Sequence, residues 1–366
     1  MNDSYFISKA LSLANKGKYS SKPGVAVGCV IVKNKKIIGK GFYSEYGGRH
    51  AEINAINDVK NKYKGKYLSY LSGSEIFVTL EPCSKKGKTG ACTKELIKYD
   101  FKRIIVGAKD PTQNGIAKLK NEGYKVDLLN DPKSIELNKD FFYKSKFKRP
   151  YIRAKIAMSA DQKSVFVSGK RKWITGTSAR KDVQLLRADS DVILTGAGTI
   201  NIDKPSLNVR LKKITCNKSF FQPQRFIFSN NLELDWNAPF FEAPGKKVIV
   251  TSKKRISKMP LKIKDMSLMH CPADGNGVDP EKFLKKISKL NFSSILLESG
   301  PKLLGAFGDR NLIDEYIFYI SPERLKNKAL HFYGGEKKIN FFDSKQFVIV
   351  HQSKIGKDKK LILRKK

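Results

Sequence analysis

Cysteine is scarce in this chain of 366 residues: there are five. So few cannot build the dense disulfide framework of a small secreted scaffold, and a reducing compartment is implied. Long apolar runs are missing as well. No stretch reaches the roughly 18 apolar residues that a membrane-spanning helix needs. The opening residues, Met1 to Asn15, carry Asp3 and space Phe6, Ala10 and Leu13 like one face of a helix. They lack the basic start and unbroken apolar core of a secretory leader. A cytoplasmic protein with no membrane partner is expected. Hydrophobic residues make up 40% of the chain, enough for a sizeable core, and the length suits two domains.

Acidic residues are also few. Thirty-four Asp and Glu face 72 Lys and Arg, a formal charge of +38. An excess of this size invites a nucleic-acid reading, but such binders concentrate charge in a patch, arm or tail. Here residues 1–150 hold 30 basic against 14 acidic residues, and residues 151–366 hold 42 against 20. The density is nearly even, which argues for solvated faces and against a specific nucleic-acid partner. The same charge would attract phosphorylated substrates.

Against this background one cluster of residues stands out: His50-Ala51-Glu52, then Pro82-Cys83, then Cys92. One imidazole and two thiolates can supply three zinc ligands and leave the fourth position for water, the arrangement of a catalytic rather than a structural site. Zinc lowers the pKa of bound water toward 7, so hydroxide becomes available at neutral pH. A carboxylate must then carry the proton to the leaving amine, and Glu52 suits that shuttle. His-x-Glu followed by Pro-Cys and a second Cys is the signature of zinc nucleobase deaminases. Hydrophobic patterning predicts strands at 27–33 and 37–42 around a turn at Asn34-Lys35, and a helix from His50 to about Val59. A strand follows at 76–80, then a helix or turn at Cys83, a helix at 94–99 and a strand at 103–108.

A polar helix over 131–149 reads as the end of the first domain, and the boundary is placed between residues 148 and 149. Beyond it, strands are predicted at 152–158, 191–194, 225–228, 247–250, 294–297, 313–320 and 360–364. A helix capped by Thr177 or Ser178 runs to Arg187, and another covers 281–290. Two strand ends run into Gly-containing turns, Thr195-Gly-Ala-Gly-Thr199 and Ser299-Gly-Pro301, with Pro301 suited to a first helical turn. Such turns let a phosphate approach the backbone, although they are not the dinucleotide fingerprint G-x-G-x-x-G. Cys216, Cys271 and His270 have no partner at metal spacing and read as structural.

The segments Gly47-Gly-Arg-His-Ala-Glu52 and Thr79-Leu-Glu-Pro-Cys-Ser-Lys-Lys-Gly-Lys-Thr-Gly-Ala-Cys92 resemble the deaminase half of the bifunctional riboflavin-biosynthesis deaminase/reductases. The eight residues between the cysteines are typical of that family. Lys155-Ile-Ala-Met-Ser-Ala-Asp161, Trp173-Ile-Thr-Gly-Thr-Ser-Ala-Arg180, Leu186 to Thr199, Asp203 and Leu297-Glu-Ser-Gly-Pro301 resemble its reductase half. The resemblance implies an α/β chain in two parts. Residues 1–148 would form a cytidine-deaminase-like three-layer zinc domain. Residues 149–366 would form a dihydrofolate-reductase-like α/β domain using NADPH.

The resemblance also implies site residues. His50, Cys83 and Cys92 would hold zinc beside catalytic Glu52. Ala157, Trp173, Thr199, Asp203, Ser229 and the run Gly300, Pro301, Lys302, Leu303, Leu304, Gly305, Ala306 would line NADPH. Arg171 (where the family has Ser), Arg187, Leu207, Arg210 and Glu298 would contact a phosphorylated ribosylaminopyrimidine. Assembly into a homo-oligomer through the reductase domain is implied too. The chain departs from the family at Pro23-Gly24-Val25 (usually Pro-Asn-Pro), at Arg49 (usually Pro), at Lys85-Lys86 (commonly His) and at Gln162 (usually Gly), and its Asp110-Pro111 loop is shorter. Two rivals follow: a reductase whose deaminase domain has lost substrate binding, and a nucleic-acid deaminase suggested by the charge.

Overall fold

A computed structural model describes residues 2–85, 87–168, 173–211, 221–253, 263–275 and 277–366. Arg171, Cys216 and Lys86 fall outside the described residues. The chain passes from one compact unit to a second between Phe147 and Lys148.

The first unit comprises α1 (Asp3–Gly17), β1 (Gly28–Lys33), β2 (Lys36–Phe42), α2 (Ala51–Tyr63), α3 (Tyr67–Leu71), β3 (Glu75–Val78), α4 (Cys92–Leu96), β4 (Arg103–Val106), α5 (Gly115–Asn121), β5 (Val126–Leu128), α6 (Pro132–Leu137) and α7 (Lys139–Phe147). Its sheet runs β2-β1-β3-β4-β5; β1 is antiparallel to β2 and β3, and the rest are parallel. Asn34 and Lys35 both sit at positive φ, 50° and 60°, the two-residue turn that suits the twist of a hairpin. Strand alternation divides the core into two layers. Cys29, Ile31, Ile76, Val78, Ile104 and Val106 pack with Ala51, Ala55, Ile56 and Val59 of α2. Val30, Val32, Phe77 and Ile105 pack with Phe6, Ile7, Ala10 and Leu11 of α1.

Three expectations for this unit change. α2 runs one turn past Val59. Cys83 stands in a loop, not at a helix start: the side chain of Gln113 accepts the Ser84 N–H at 3.0 Å and holds that backbone out of a helix. The expected 131–149 helix is broken at Asn138. Its amide leaves the helix to bond both polar groups of Ala26, accepting from N–H at 2.9 Å and donating to C=O at 2.8 Å.

The second unit comprises β6 (Tyr151–Ser159), β7 (Lys163–Phe166), α8 (Thr177–Ala188), β8 (Val192–Gly196), α9 (Ala197–Asp203), β9 (Gln224–Phe228), α10 (Pro239–Glu242), β10 (Lys247–Thr251), β11 (Met266–His270), α11 (Pro280–Ile287), β12 (Ser294–Leu297), α12 (Pro301–Asp309), β13 (Glu315–Ser321), β14 (Ala329–His331), β15 (Phe347–Ile355) and β16 (Asp358–Lys365). The main sheet is ordered β11-β10-β9-β8-β12-β6-β13-β16-β15. It is parallel from β11 to β13, then antiparallel through β16 and β15. Parallel central strands are buried on both faces, so they read as continuous apolar runs such as Val192-Ile-Leu and Ile295-Leu-Leu. α8 is capped one residue earlier than expected. Gly176 is the N-cap, and its N–H donates to Asp358 Oδ2 at 2.7 Å.

Arg225 lies on β9 and is fully buried. Its guanidinium donates to the carbonyls of Ser206 (2.7 Å), Phe240 (3.1 Å), Ala243 (2.8 Å), Pro244 (2.8 Å) and Gly245 (3.2 Å). No carboxylate faces it among the described residues. Burial, and then the nearby Arg187, push its pKa down to about 10, which leaves it ionised at neutral pH.

Candidate functional sites in the two units

The metal-ligand candidates of the first unit meet at the start of α2. Glycines on β2 make this possible. A Cβ on Gly41 would come within 2.1 Å of the Ala51 carbonyl and 2.3 Å of the Ala55 N–H, so α2 lies directly on the strand. His50 is the N-cap of α2 but makes no capping bond with its side chain, which frees the imidazole. Tyr43 packs edge-on against that ring at 5.2 Å, and the Tyr43 hydroxyl is itself held by the Gly47 N–H at 2.7 Å.

His50 Nδ1 lies 3.5 Å from Cys83 Sγ and 3.2 Å from Cys92 Sγ, and the three donor atoms fall within 4.8 Å of one another. Tetrahedral zinc with Zn–S of about 2.3 Å and Zn–N of about 2.05 Å would place N and S about 3.5 Å apart. The donor set therefore fits the ion in type and in spacing. The Cys92 N–H donates to Cys83 Sγ at 3.1 Å. Together with the Cys92 thiol and His50, it holds the Cys83 pKa well below that of a free thiol, against the opposing effect of burial. Zinc binds thiolate, so this environment favours ligation.

Glu52, in the first turn of α2, is 3% exposed. Burial pushes its carboxyl pKa up, with His50 opposing.

Several supporting residues carry no motif of their own. Glu81 is buried just before Pro82; its oxygens accept the N–H groups of Asp110 (3.0 Å) and Ile116 (2.9 Å). It pins the loop carrying Gln113, which in turn holds the backbone beside Cys83. A carboxylate directly preceding Pro-Cys was the available signal. Lys85, in place of the family's His, donates to the Thr112 carbonyl at 3.0 Å. Lys88 Nζ lies over Tyr46, 4.1 Å from the ring centroid.

In the second unit, three adjoining cavities of about 390, 440 and 840 Å³ share lining residues along the carboxyl ends of the central strands. Ala157, Trp173, Thr199, Asp203, Gly300, Leu304, Arg187, Leu207, Arg210 and Glu298 line the first. Pro301, Lys302 and Leu303 line the second, and Ser229 and Ala306 the third. Gly305 lines none of them. A Cβ there would stand 2.3 Å from Gly335 N, so this glycine serves the packing of α12 on the 334–335 backbone. Trp173 is 59% exposed and stacked by the Arg180 guanidinium at 4.7 Å.

Features of these cavities fit a dinucleotide. A Cβ on Gly198 would meet nothing within 4 Å. α12 opens into the cavity with Gly300 as N-cap and Pro301 in its first turn. The buried hydroxyls of Ser229 and Ser299 have no protein partner among the described residues. Open backbone, a helix N-terminus and unsatisfied hydroxyls are what phosphate and ribose groups bind.

The arginine pair divides in a way that residue type alone did not indicate. Arg187 Nε and Nη2 donate to the two oxygens of Glu298 at 2.6 and 2.9 Å, and Nη1 donates to the Asn208 carbonyl at 3.3 Å. Lys155 Nζ approaches the same carboxylate at 3.5 Å. Burial alone would raise the Glu298 pKa, but Arg187 and Lys155 outweigh it and hold it at about 2. Arg187 is thus largely committed to Glu298. Arg210 donates to the Asn208 side chain at 3.1 Å and to Ser206.

Comparison with known proteins agrees with this division. Residues 1–108 match the cytidine and deoxycytidylate deaminase zinc-binding region, and residues 150–352 match the RibD C-terminal domain. The riboflavin biosynthesis protein RibD of Buchnera aphidicola (subsp. Baizongia pistaciae) is 35% identical, covering 100% of this chain and 99% of its own. The structure of Acinetobacter baumannii RibD superimposes with a TM-score of 0.85 at 30% identity, covering 100% and 99% of the two chains. That of the diaminohydroxyphosphoribosylaminopyrimidine deaminase/5-amino-6-(5-phosphoribosylamino)uracil reductase of Thermotoga maritima gives 0.85 at 27%, with the same coverage. A deaminase-type α/β layer with a His-Cys-Cys cluster, followed along the whole length by a RibD-type second half, leaves one assignment: the chain belongs to the RibD family of riboflavin biosynthesis proteins.

Proposed function

We propose that this chain is a bifunctional enzyme of riboflavin biosynthesis. Residues 1–148 remove the ring 2-amino group of 2,5-diamino-6-ribosylamino-pyrimidin-4-one 5'-phosphate by hydrolysis. Residues 149–366 then reduce the ribosyl side chain of the product to ribitylamino with NADPH. The observation that carries the reading is the meeting of His50, Cys83 and Cys92 beside the buried Glu52 carboxyl at the start of α2.

In the first half His50, Cys83 and Cys92 would hold zinc. The ion, when bound, makes hydroxide available near neutral pH. Glu52 carries one proton from the attacking water to the ring nitrogen and then a second, from the resulting C–OH, to the amine as its C–N bond breaks, so ammonia leaves and a ring carbonyl remains. Glu81 and Gln113 keep the Cys83 loop in place while this happens.

In the second half NADPH supplies the hydride. The protein's task is to set the cofactor against the sugar. Ala157, Trp173, Thr199, Asp203, Ser229 and the backbone from Gly300 through Ala306 would bind the cofactor, with Gly305 contributing through packing. Leu207, Arg210 and the Arg187–Glu298 pair would bind the substrate; Arg171 keeps its expected contact as part of this proposal. Two arginine or lysine groups near a phosphate would bind it through charge-assisted hydrogen bonds.

Among the described residues no helix is long and apolar enough to cross a membrane, and a cytoplasmic site belongs to this reading. So does assembly of copies through the second unit, whose edge strand β15 exposes Val348, Ile349 and Val350. The test is ammonia release from the diamino pyrimidine nucleotide by purified protein, with and without chelator, before NADPH is added. Chelator-sensitive release that Glu52→Ala abolishes supports the reading. No release from zinc-loaded protein sinks it in favour of a reductase with an impaired deaminase domain, and the deaminated nucleotide with NADPH would then be assayed alone.

A further inference from the structure

A fourth cavity, of about 410 Å³, shares no lining residue with the reductase cavities. It sits where the C-terminal end of α12 meets the ends of β15 and β16. Five lysines line it: Lys337, Lys338, Lys345, Lys365 and Lys366. No acidic side chain does.

The carboxylates nearby have other hydrogen-bond partners, although Asp309 and Asp314 also act electrostatically on Lys337 and Lys365. Asp309 accepts from the Tyr333 hydroxyl (2.6 Å) and from the N–H groups of Glu336 (2.7 Å) and Lys337 (3.2 Å). Asp314 is clamped by Arg149 at 2.7 and 2.8 Å. Asp343 takes the Lys345 N–H at 2.9 Å and the Gln346 amide at 3.1 Å. Lys365 donates to Asn311 Oδ1 at 2.8 Å. The side chains lining the cavity carry a positive excess.

A second observation points into the same space. Tyr316, on β13, lines the cavity and is fully buried, yet its hydroxyl has no hydrogen-bond partner among the described residues. Its ring is fixed by Phe341 and Phe347 at 5.0 and 5.7 Å. An orphaned buried hydroxyl is costly, and an acceptor arriving in the cavity would relieve it. Five like charges around one hollow repel one another, and a multivalent anion relieves that too. The volume lies in the usual range for small-ligand sites.

We propose that this cavity is a binding site for a small polyphosphate-bearing anion, held by the lysine ammonium groups with the Tyr316 hydroxyl donating from the inner wall. The occupant would carry two or more linked phosphates, because a single phosphate leaves most of the lysine charge uncompensated. This site is independent of both proposed active sites.

The experiment is calorimetric titration of the full chain with inorganic tripolyphosphate and, in a second arm, with a nucleoside triphosphate. NADPH is kept saturating in both, so the reductase cavities are filled. The proposal expects one saturable site per chain. Lys337→Glu with Lys345→Glu should weaken it by at least about tenfold, as removal of two charge-assisted contacts would. Tyr316→Phe, which keeps the ring packing, should weaken it by a few-fold. Lys289→Glu, an exposed charge reversal on the same unit, should change it by less than about twofold. Equal affinity in both arms means that the phosphates alone are recognised; tighter nucleotide binding with the same variant losses adds a base contact to the same site. No saturable binding in the presence of NADPH, or equal loss in Lys289→Glu, overturns the proposal. So does binding of a single-stranded RNA that is lost in Lys337→Glu with Lys345→Glu when tripolyphosphate itself does not bind.

Discussion

Replacing Arg187 with Met should unfold the second unit more readily, and the structure sets the size of the effect. Arg187 is 8% exposed and Glu298 is 4% exposed. Met keeps most of the apolar length of Arg187 but leaves the Glu298 carboxylate buried, with only Lys155 at 3.5 Å. Breaking one side of a buried, bidentate pair costs about 3–5 kcal/mol, because the remaining charge loses its compensation. The titration of Glu298 provides an independent scale. Its pKa of about 2 lies roughly 2 units below that of a free glutamate, worth about 3 kcal/mol at neutral pH. The two figures agree.

The sign of the pH dependence follows. A depressed carboxyl pKa stabilises the fold above the unfolded value near 4.3, and that stability is lost as pH falls toward 2. Urea unfolding at pH 7, followed through a probe in the second unit, should show the loss. Thermal unfolding of a unit this size should shift by about 2–4 °C per kcal/mol, or roughly 6–20 °C. Arg187→Met with Glu298→Gln should recover part of the loss, with a coupling of at least about 2 kcal/mol. A cost below about 1 kcal/mol for Arg187→Met, or a Glu298→Gln variant whose stability difference from the parent stays flat between pH 5 and 2.5, would refute the assignment of this pair.

Glu52→Gln should retain zinc, measured by metal analysis, and lose ammonia release by about 10²–10⁴-fold, the span attributed to a positioned acid–base group. Chelation should abolish ammonia release but leave reduction of the deaminated nucleotide by NADPH unchanged, followed by the fall in nicotinamide absorbance. Gly41→Ala should destabilise the first unit by about 1–3 kcal/mol and weaken zinc binding, because its Cβ would collide with the Ala51 carbonyl and push α2 off the strand; competition with a chromogenic chelator reads the latter.

The zinc-ligand cluster was legible in the chain because its chemistry is local and its residue types are few. His50 and Glu52 lie in one turn, and the two cysteines flank one loop. The central strands of the second unit were legible for a similar reason, since burial on both faces writes them as uninterrupted apolar runs. What periodicity could not supply were interactions set by tertiary contact. Gln113 keeps Cys83 out of a helix from 30 positions away in sequence. Asn138 breaks a plausible helix to reach Ala26, 112 residues distant. Arg187 looked like a phosphate ligand by residue type, yet its partner Glu298 is 111 positions away. Gly305 fell inside a run read as cofactor-lining, and only the packing of α12 on the 334–335 backbone distinguishes it.

Arg225 has a consequence for how this chain tolerates change. Besides lying over the Phe240 ring, it holds the 240–245 segment and the Ser206 end of the substrate rim through main-chain oxygens, which every amino acid possesses. Side chains at the exposed Glu242 and Pro244 can therefore be varied with little penalty while the backbone path is kept, unlike the buried Phe240 and Phe241 or Gly245 at φ 102°. Position 225 itself offers no such latitude: lysine supplies three donors from a single nitrogen and cannot span five carbonyls. The rim is thus robust to drift at its exposed positions and fragile at one distant residue.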